Sequence, residues 1–260
     1  MDLELKEKII LVTGGAKGIG AAIVNAAAAE GAVPVFLDRD VDAGAQLEKS
    51  LRNSGAKIEF IAGEITAPQT CEKTVNKVLQ RFGRLDALVN NVGANDNVGL
   101  ERGTPEKFIA SLELNLLHYY AMAHFALPAL KDSRGCIVNI SSKTAVTGQG
   151  GTSGYVAAKA AILGLTREWA AELLPAGIRV NAVVPAEVMT PLYQQWVSGF
   201  ANPDEKLARI ISKIPLGKRM TKPEEIADMV VFLISERASH ITGQHIFVDA
   251  GYTHLDRALT

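Results

Sequence analysis

The chain has 260 residues, of which 48% are hydrophobic and 21% are charged, and its formal net charge at pH 7 is −1. This composition favours one large α/β domain over residues 1–260, and the near-zero net charge gives no overall basic field that would point to nucleic acid or an acidic membrane. No apolar run approaches the ~20 residues of a membrane span, and the mixed-charge start lacks the apolar core of an export signal, so we expect a cytoplasmic protein. The two cysteines and five histidines show no metal-ligand spacing, so no metal site is expected.

Short apolar, β-rich runs alternate with longer helical patterns along the chain. The runs predict seven strands, at residues 9–13, 33–38, 58–62, 86–90, 135–141, 177–184 and 245–249. The helical patterns cover residues 18–30, 42–53, 66–82, 105–130 with a break, 153–174, a short stretch within 186–214, and 221–235. Capping boxes are expected at Thr66–Gln69 and Thr221–Glu224. This alternation predicts βαβ units, and therefore a parallel, doubly wound sheet that binds ligands at the carboxyl ends of its strands.

A glycine-rich segment with the sequence TGGAKGIG lies between the first strand and the first helix. Glycine lets the backbone turn tightly and approach a pyrophosphate, and the helix N terminus supplies unpaired N–H groups. A plain flexible turn is the alternative, but the strand–loop–helix context favours a dinucleotide. The expected phosphate-side contacts are Gly14, Lys17, Gly18, Ile19 and Gly20.

Asp38 ends the second predicted strand, where a carboxylate can accept hydrogen bonds from both ribose hydroxyls of NAD. The same carboxylate would repel the 2′-phosphate of NADP, so NAD is the expected cofactor. Arg39 and Lys17 are nearby cations that could pair with the 2′-phosphate, so NADP stays an alternative cofactor. Glu64 can accept a hydrogen bond from the adenine amine or be a solvated loop carboxylate, and Ile65 beside it is expected in the same pocket.

Tyr155 and Lys159 are four residues apart in the helical pattern that follows Ser142. Residues at this spacing share a helix face, with Cβ atoms roughly 5–6 Å apart. We expect the ammonium to lower the pKa of the phenol from about 10, which would suit a proton donor and acceptor at a carbon–oxygen centre. By itself this spacing also fits an ordinary surface pair.

Together, the TGGAKGIG segment, Asn90-Asn91-Val92-Gly93, Asn115, Ser142 and Tyr155-x-x-x-Lys159 make the whole chain resemble the short-chain dehydrogenase/reductase family. The resemblance implies a Rossmann-type sheet of seven parallel strands with helices on both faces. It also implies a homotetramer.

The resemblance implies specific roles for residues around the expected nicotinamide. Tyr155 would be the general acid/base, Lys159 would hold the ribose, Ser142 would orient the substrate oxygen and Asn115 would hold a water in a proton relay. From its position alone, Asn115 could equally be a helix residue that satisfies backbone groups. Further cofactor contacts implied by the resemblance are Asn91, Gly93, Pro185 and Val188, in addition to the tyrosine and lysine.

Three loops next to the predicted strand ends carry charged and amide side chains rather than a purely apolar set. The expected substrate contacts are Asn95, Asp96, Ser142, Lys143, Gln149, Tyr155, Glu187 and Trp196. Because each buried hydroxyl needs a hydrogen-bond partner, these groups favour a sugar. Residues 185–192 also resemble the substrate loop of sugar dehydrogenases in the family, L-fucose dehydrogenases in particular, and residues 185–220 are expected to form a substrate-binding loop and short helix.

The expected reaction is therefore NAD(P)-dependent oxidation of the anomeric hydroxyl of an aldose to a lactone. One alternative is an NADPH-dependent 3-oxoacyl-carrier-protein or other ketone reductase, which Arg39 and Lys17 allow. The other is a regulator that senses NAD without turnover, which retention of both Tyr155 and Lys159 disfavours. The expected partner is a small molecule, with neither nucleic acid nor membrane involved.

Overall fold

The computed structural model describes residues 2–255; Met1 and residues 256–260, the two ends of the expected domain, lie outside the described residues. The strands are β1 (Ile9–Thr13), β2 (Val33–Asp38), β3 (Glu59–Ala62), β4 (Ala87–Asn90), β5 (Cys136–Ile140), β6 (Arg179–Pro185) and β7 (His245–Val248). They form one sheet in the order β3-β2-β1-β4-β5-β6-β7, and every neighbouring pair is parallel. The predicted seven-stranded parallel sheet is confirmed.

The helices are α1 (Gly18–Ala29), α2 (Val41–Asn53), α3 (Pro68–Phe82), α4 (Pro105–Leu112), α5 (His118–Ser133), α6 (Thr144–Thr147), α7 (Ser153–Leu173), α8 (Pro191–Ser198), α9 (Pro203–Ile211) and α10 (Pro223–Ile234). A π-helical turn, Glu113–Leu117, joins α4 to α5 and corresponds to the break predicted there. The short helix α6 was not predicted. Among the described residues, no helix is both long and apolar enough to cross a membrane.

Alternate residues of the strands face two separate cores. Ile10 and Val12 belong to the core that α1 and α10 cover, whereas Leu11 belongs to the core beneath α3, α5 and α7. Because both faces are covered, the strands are apolar along nearly their whole length. This accounts for the continuous hydrophobic runs in the sequence and confirms helices on both faces of the sheet.

Both predicted capping boxes are wrong by one residue. The N-cap of α3 is Ala67, which makes no side-chain capping bond, and that of α10 is Lys222, whose N–H donates to Glu225 Oε2 at 2.8 Å. In each helix a proline occupies the first helical position, where its missing N–H is not needed and its fixed φ suits the helix. The proline therefore decides where the helix starts.

The order of the strands reverses between β1 and β4, which opens a crevice at their carboxyl ends. Asp38 and Pro185 end β2 and β6 at this edge, and Ser142 follows β5 there. Asn90 also ends a strand but is fully buried, and its amide donates to Asn139 Oδ1 at 3.0 Å. Asn90 therefore braces the centre of the sheet below the crevice and does not line it.

Candidate active site

A cleft of about 580 Å³ lies at the carboxyl ends of the strands. It brings together nearly all residues that the sequence assigned to the cofactor. Those on its walls are Gly14, Lys17, Gly18, Ile19, Asp38, Arg39, Glu64, Ile65, Asn91, Gly93, Tyr155, Lys159, Pro185 and Val188. Gly20 lies behind the wall.

The glycine loop forms a cradle that only small residues can build. Gly14 has φ +66°, and a Cβ added to Gly20 would lie 1.9 Å from the Gly14 carbonyl oxygen. The amide of Asn91 fixes the loop by donating to the same oxygen at 3.1 Å. The N-cap of α1, Lys17, makes no side-chain capping bond, so backbone N–H groups at this helix end stay available to an anion. The cradle fits the pyrophosphate of a dinucleotide.

The carboxylate of Asp38 is held in place at the far end of the cleft. Its Oδ2 accepts from the Ala16 N–H at 2.9 Å, and its Oδ1 accepts from the Asp40 N–H at 3.0 Å. A carboxylate has about four acceptor positions. Each Asp38 oxygen can therefore still accept a bond from a ribose hydroxyl.

Each of the two cations that could tolerate NADP is paired with a carboxylate. Lys17 Nζ lies 2.5 Å from Asp40 Oδ2, and Arg39 Nη1 lies 3.4 Å from Glu64 Oε2. The hydrogen bond to Asp40 raises the pKa of Lys17, and the same bond lowers that of the carboxylate. Sequence reasoning missed Asp40, although an aspartate directly before a helix is a strong capping signal.

The two serines after β5 have different partners. Ser141 donates to the Lys159 carbonyl at 2.8 Å and so ties the strand end to α7. The Ser142 hydroxyl accepts from Thr144 Oγ1 at 3.0 Å and makes a hydrogen bond with Tyr155. The structure thus brings Ser142 and Tyr155 together, as predicted, and leaves Ser141 a bracing contact.

The ammonium of Lys159 is buried at the base of the cleft. It donates to the Ile140 carbonyl at 2.8 Å and to the Tyr119 hydroxyl at 3.0 Å, and it lies 5.8 Å from the centre of the Tyr155 ring. Burial lowers the pKa of Lys159 to about 7. Sequence reasoning missed Tyr119, because nothing local to its helix shows that its hydroxyl reaches another element.

The expected direction of the tyrosine pKa shift is wrong. Burial raises the pKa of Tyr155, and the hydrogen bond with Ser142 offsets only part of that rise. Lys159 does not reverse this rise because, with a pKa lowered to about 7, it carries only part of its positive charge at neutral pH. In this arrangement desolvation outweighs the attraction to the lysine.

Asn115 lies fully buried in the π-helical turn and does not line the cleft. Its Oδ1 accepts from the Ala94 N–H at 2.8 Å, and its amide donates to the Ser111 carbonyl at 3.1 Å. These bonds satisfy backbone groups, which is the alternative that its position allowed. They also tie the loop after β4 to the turn, which positions Ala94 on the cleft wall.

Six expected substrate contacts are absent from the walls of this cleft within residues 2–255. They are Asn95, Asp96, Lys143, Gln149, Glu187 and Trp196. Asn95 and Gln149 are in exposed loop segments, and Trp196 packs edge-on against Tyr193 with ring centres 5.2 Å apart.

Lys143 and Glu187 form a mostly buried ion pair with each other. Glu187 also accepts from the Tyr193 hydroxyl at 2.7 Å, and Lys143 Nζ lies 3.7 Å from the centre of the Tyr252 ring. Buried charges need such partners, so the two side chains satisfy each other instead of facing the cleft. The pair joins the segment after β5 to the loop after β6.

Part of the cleft wall is built by further residues of the expected substrate-binding segment 185–220. They are Ala186, Thr190, Pro191, Leu192, Tyr193 and Gln195, in the loop after β6 and the first part of α8. Thr190 caps this helix by accepting from the Tyr193 N–H at 3.1 Å. The Thr-Pro dipeptide was therefore a usable signal for where the helix, and this wall, begins.

The described part of the chain contains no group of three or more His, Cys, Asp or Glu side chains that could hold a metal ion.

A family model described as "Enoyl-(Acyl carrier protein) reductase" matches residues 14–253. L-fucose dehydrogenase of Mus musculus is 39% identical over 245 residues, covering 94% of this chain and 88% of that protein. The 3-oxoacyl-[acyl-carrier-protein] reductase FabG of Thermotoga maritima is 35% identical over 250 residues, covering 96% of this chain and 99% of that protein.

Solved structures are similar over the whole chain. The crystal structure of Cj0485 dehydrogenase has a TM-score of 0.96 and 47% identity, with 100% of this chain and 99% of that chain covered. The ligand-free aldohexose dehydrogenase of Thermoplasma acidophilum has a TM-score of 0.89 and 31% identity, with coverage of 99% and 98%.

Proposed function

The chain belongs to the short-chain dehydrogenase/reductase family and is an oxidoreductase acting on CH–OH groups, and from this premise we propose that it oxidises the anomeric hydroxyl of an aldose, L-fucose or a similar sugar, to a lactone with NAD. The observation that carries the proposal is the convergence of Ser142, Tyr155 and Lys159 at the base of a cleft whose far end holds Asp38.

The residues of the cleft fit a nicotinamide dinucleotide. The loop of Gly14 and Gly18 would hold the pyrophosphate, and Asp38 would accept from the ribose hydroxyls. NAD is favoured over NADP because Lys17 and Arg39 are already paired with carboxylates, so three acidic groups offset the two cations near the 2′ position. A 2′-phosphate would therefore meet net negative charge.

When bound, NAD would supply the carbon that accepts hydride, and its positive charge would favour the phenolate of Tyr155. The Ser142 hydroxyl would orient the anomeric oxygen, and Tyr155 would take the proton of the anomeric hydroxyl as the carbon–hydrogen bond breaks. Lys159 would donate to the ribose with the N–H that its two protein acceptors leave free. The sugar loses one hydride and one proton, which leaves the lactone carbonyl.

The sugar substrate is supported by similarity and by the polarity of the site. Relatives include an L-fucose dehydrogenase, and a structural neighbour is an aldohexose dehydrogenase. Thr190, Tyr193 and Gln195 on the cleft wall offer hydroxyl and amide groups to ring hydroxyls. We include the segment 185–220 as the substrate-binding segment of a single domain; it carries two helices, α8 and α9, rather than the one short helix expected.

A ketone reductase acting on acyl-carrier-protein substrates is a second candidate. The specific observation in its favour is the 35% identity to a 3-oxoacyl-[acyl-carrier-protein] reductase over nearly the whole of both chains. Against it, Asp38 and the paired cations disfavour NADPH.

We also propose that the enzyme is a homotetramer. Large apolar side chains on α4, the π-helical turn and α5 support assembly: Ile109, Leu117 and Tyr120 are each about half exposed or more. Exposed large apolar side chains are typical of surfaces that contact another protein. Sedimentation analysis would test the subunit count.

The test is NADH formation from NAD and a panel of aldoses that includes L-fucose and its stereoisomers. We expect turnover with at least one of them, and Tyr155→Phe should lower kcat/KM by about 10²- to 10⁴-fold while NAD binding is retained. No NADH from any aldose, combined with NADPH consumption in the presence of a β-ketoacyl thioester, would overturn the sugar proposal in favour of the reductase. NAD binding without any turnover would point to a sensor.

A further inference from the structure

Three polar atoms form a closed triangle beneath the cleft. Lys159 Nζ donates to the Tyr119 hydroxyl at 3.0 Å and to the Ile140 carbonyl at 2.8 Å, and the Tyr119 hydroxyl donates to the same carbonyl at 2.9 Å. Tyr119 is completely buried and Lys159 is 2% exposed. The triangle joins α5, the end of β5 and α7.

The ammonium in this triangle depends on uncharged oxygen acceptors. The titratable groups that face Lys159 are Tyr155 on its own helix, and Tyr119 and His118 on α5. Burial lowers the pKa of His118 to about 4 and raises that of Tyr119 well above its ordinary value, so both are neutral near pH 7. A buried ammonium with neutral neighbours is stabilised chiefly by the bonds that it donates.

The ammonium of Lys159 has one N–H group left for the cleft. A lysine ammonium has three N–H donors. Two of them are used by Tyr119 and Ile140, which leaves one for the cleft that Lys159 lines. Because the Tyr119 hydroxyl accepts from the lysine and donates to the carbonyl, its own orientation is also fixed.

The fold turns the side chain of Tyr119 towards Lys159. The π-helical turn Glu113–Leu117 comes directly before α5, and such a turn inserts an extra residue and changes which side chains of the following helix face the sheet. Tyr119 is fully buried after this turn, whereas the next residue, Tyr120, is 59% exposed. The ring of His118 packs against Tyr119 with centres 4.9 Å apart.

We propose that Tyr119 is a positioning residue whose hydroxyl holds the Lys159 ammonium so that its one free N–H faces the nicotinamide ribose. The inference rests on the proposed function for the role of Lys159 but not for the identity of the sugar. Tyr119 does not touch substrate or cofactor; it acts through the lysine, by supplying one of the two oxygen acceptors of the buried ammonium.

The test compares Tyr119→Phe with Tyr120→Phe, which removes the same hydroxyl from the next residue, 59% exposed in the single subunit and outside the triangle. The first readout is the pKa of Lys159 in the cofactor-free protein, measured by NMR with ¹³C-labelled lysine and assigned with Lys159→Met. We expect Tyr119→Phe to lower this pKa by about one unit, the size expected for one lost hydrogen bond to a charged group. Tyr120→Phe should leave it unchanged.

The second readout is the pH profile of kcat/KM with NAD. Its alkaline limb should move to lower pH by about the same one unit in Tyr119→Phe, because the lysine loses its proton sooner. The KM for the sugar should change little. A merely structural role would lower the amount of active enzyme at every pH without moving the limb.

An unchanged Lys159 pKa in folded Tyr119→Phe would overturn the proposal. Should that variant fail to fold, difluorotyrosine incorporated at position 119 keeps the hydroxyl but weakens it as an acceptor. This substitution should lower the pKa of Lys159, but by less than the one unit expected for Tyr119→Phe. An unchanged pKa would again refute the proposal. The NMR measurement gives its answer even if no aldose is oxidised, so failure of the sugar proposal is distinguishable.

Discussion

The ion pair of Lys143 and Glu187 gives the sharpest test of how the substrate end of the cleft is built. The side chains are 10% and 17% exposed, and they join the segment after β5 to the loop after β6. Replacing Lys143 with methionine keeps most of the side-chain volume but removes the ammonium. Glu187 then stays mostly buried with the Tyr193 hydroxyl as its remaining partner.

The expected loss of stability follows from these contacts. Removing one partner of a buried ion pair costs about 3–5 kcal/mol, but the bond from Tyr193 and the residual exposure of Glu187 reduce the penalty. We therefore expect Lys143→Met to lower the free energy of unfolding by about 2–3 kcal/mol. For a chain of this size, that corresponds to a fall in Tm of about 4–12 °C.

Urea and thermal unfolding at fixed protein concentration measure this loss. Lys143→Met combined with Glu187→Gln should cost less than the sum of the single changes, because the double variant leaves no unpaired charge. Lys57→Met is the matched control, since it breaks an ion pair with Glu7 in which both side chains are mostly exposed. It should change Tm very little.

The reasoning is refuted if Lys143→Met unfolds at the same temperature as the wild type and raises the KM for the sugar. The two residues would then contact the substrate, as the sequence suggested, rather than brace the loops. An equal fall in Tm for Lys57→Met would also refute it, because burial would then not be the cause.

Two further predictions concern charge in the cleft. Asp40→Asn keeps the N-cap of α2 but removes the ion pair with Lys17. The ratio of kcat/KM with NADP to kcat/KM with NAD should therefore rise. The control is Asp42→Asn, an equal charge change on the exposed first turn of α2, which should leave this ratio nearly unchanged. For Lys159, burial lowers the folded pKa from 10.5 to about 7, so the unfolded chain binds more protons between these pH values. Stability measured by urea unfolding should therefore rise from pH 7 towards pH 10, and Lys159→Met should lack this rise.

Opposite outcomes would contradict each of these predictions. A ratio that rises equally in Asp40→Asn and Asp42→Asn would mean that Lys17 has no specific effect on NADP. Parallel pH profiles of stability for the wild type and Lys159→Met would mean that the lysine keeps its ordinary pKa in the folded protein.

Most of the fold could be predicted from the sequence because its signals are local. The continuous apolar strands indicate a sheet covered on both faces, and the glycine loop between β1 and α1 indicates a cradle at a helix N terminus. Gly14, Lys17, Gly18 and Ile19 of that loop, together with Asp38 and Pro185, therefore line the cleft. The capping boxes failed because proline, rather than the Thr–Glu or Thr–Gln spacing, determined the first helical residue.

The substrate side could not be predicted in the same way. Lys143 and Glu187 are 44 residues apart in sequence, and only the fold shows that they pair with each other. Likewise, Tyr119 and Lys159 are 40 residues apart, and the π-helical turn decides which tyrosine of α5 faces the lysine. A polar residue in a loop next to the site is thus a weak sign of ligand contact until its partners are known.

By itself, the sequence determined the parallel sheet, the glycine loop at the start of α1 and the shared helix face of Tyr155 and Lys159, since these follow from hydrophobic periodicity and short-range spacing, whereas the choice of Ser142 came from the family resemblance. Only the tertiary structure decided which charges are neutralised and which way the pKa of Tyr155 moves. The physical reason is that desolvation and ion pairing depend on every element packed around a group. A spacing of four residues places two side chains on one face of a helix but does not specify the dielectric around them.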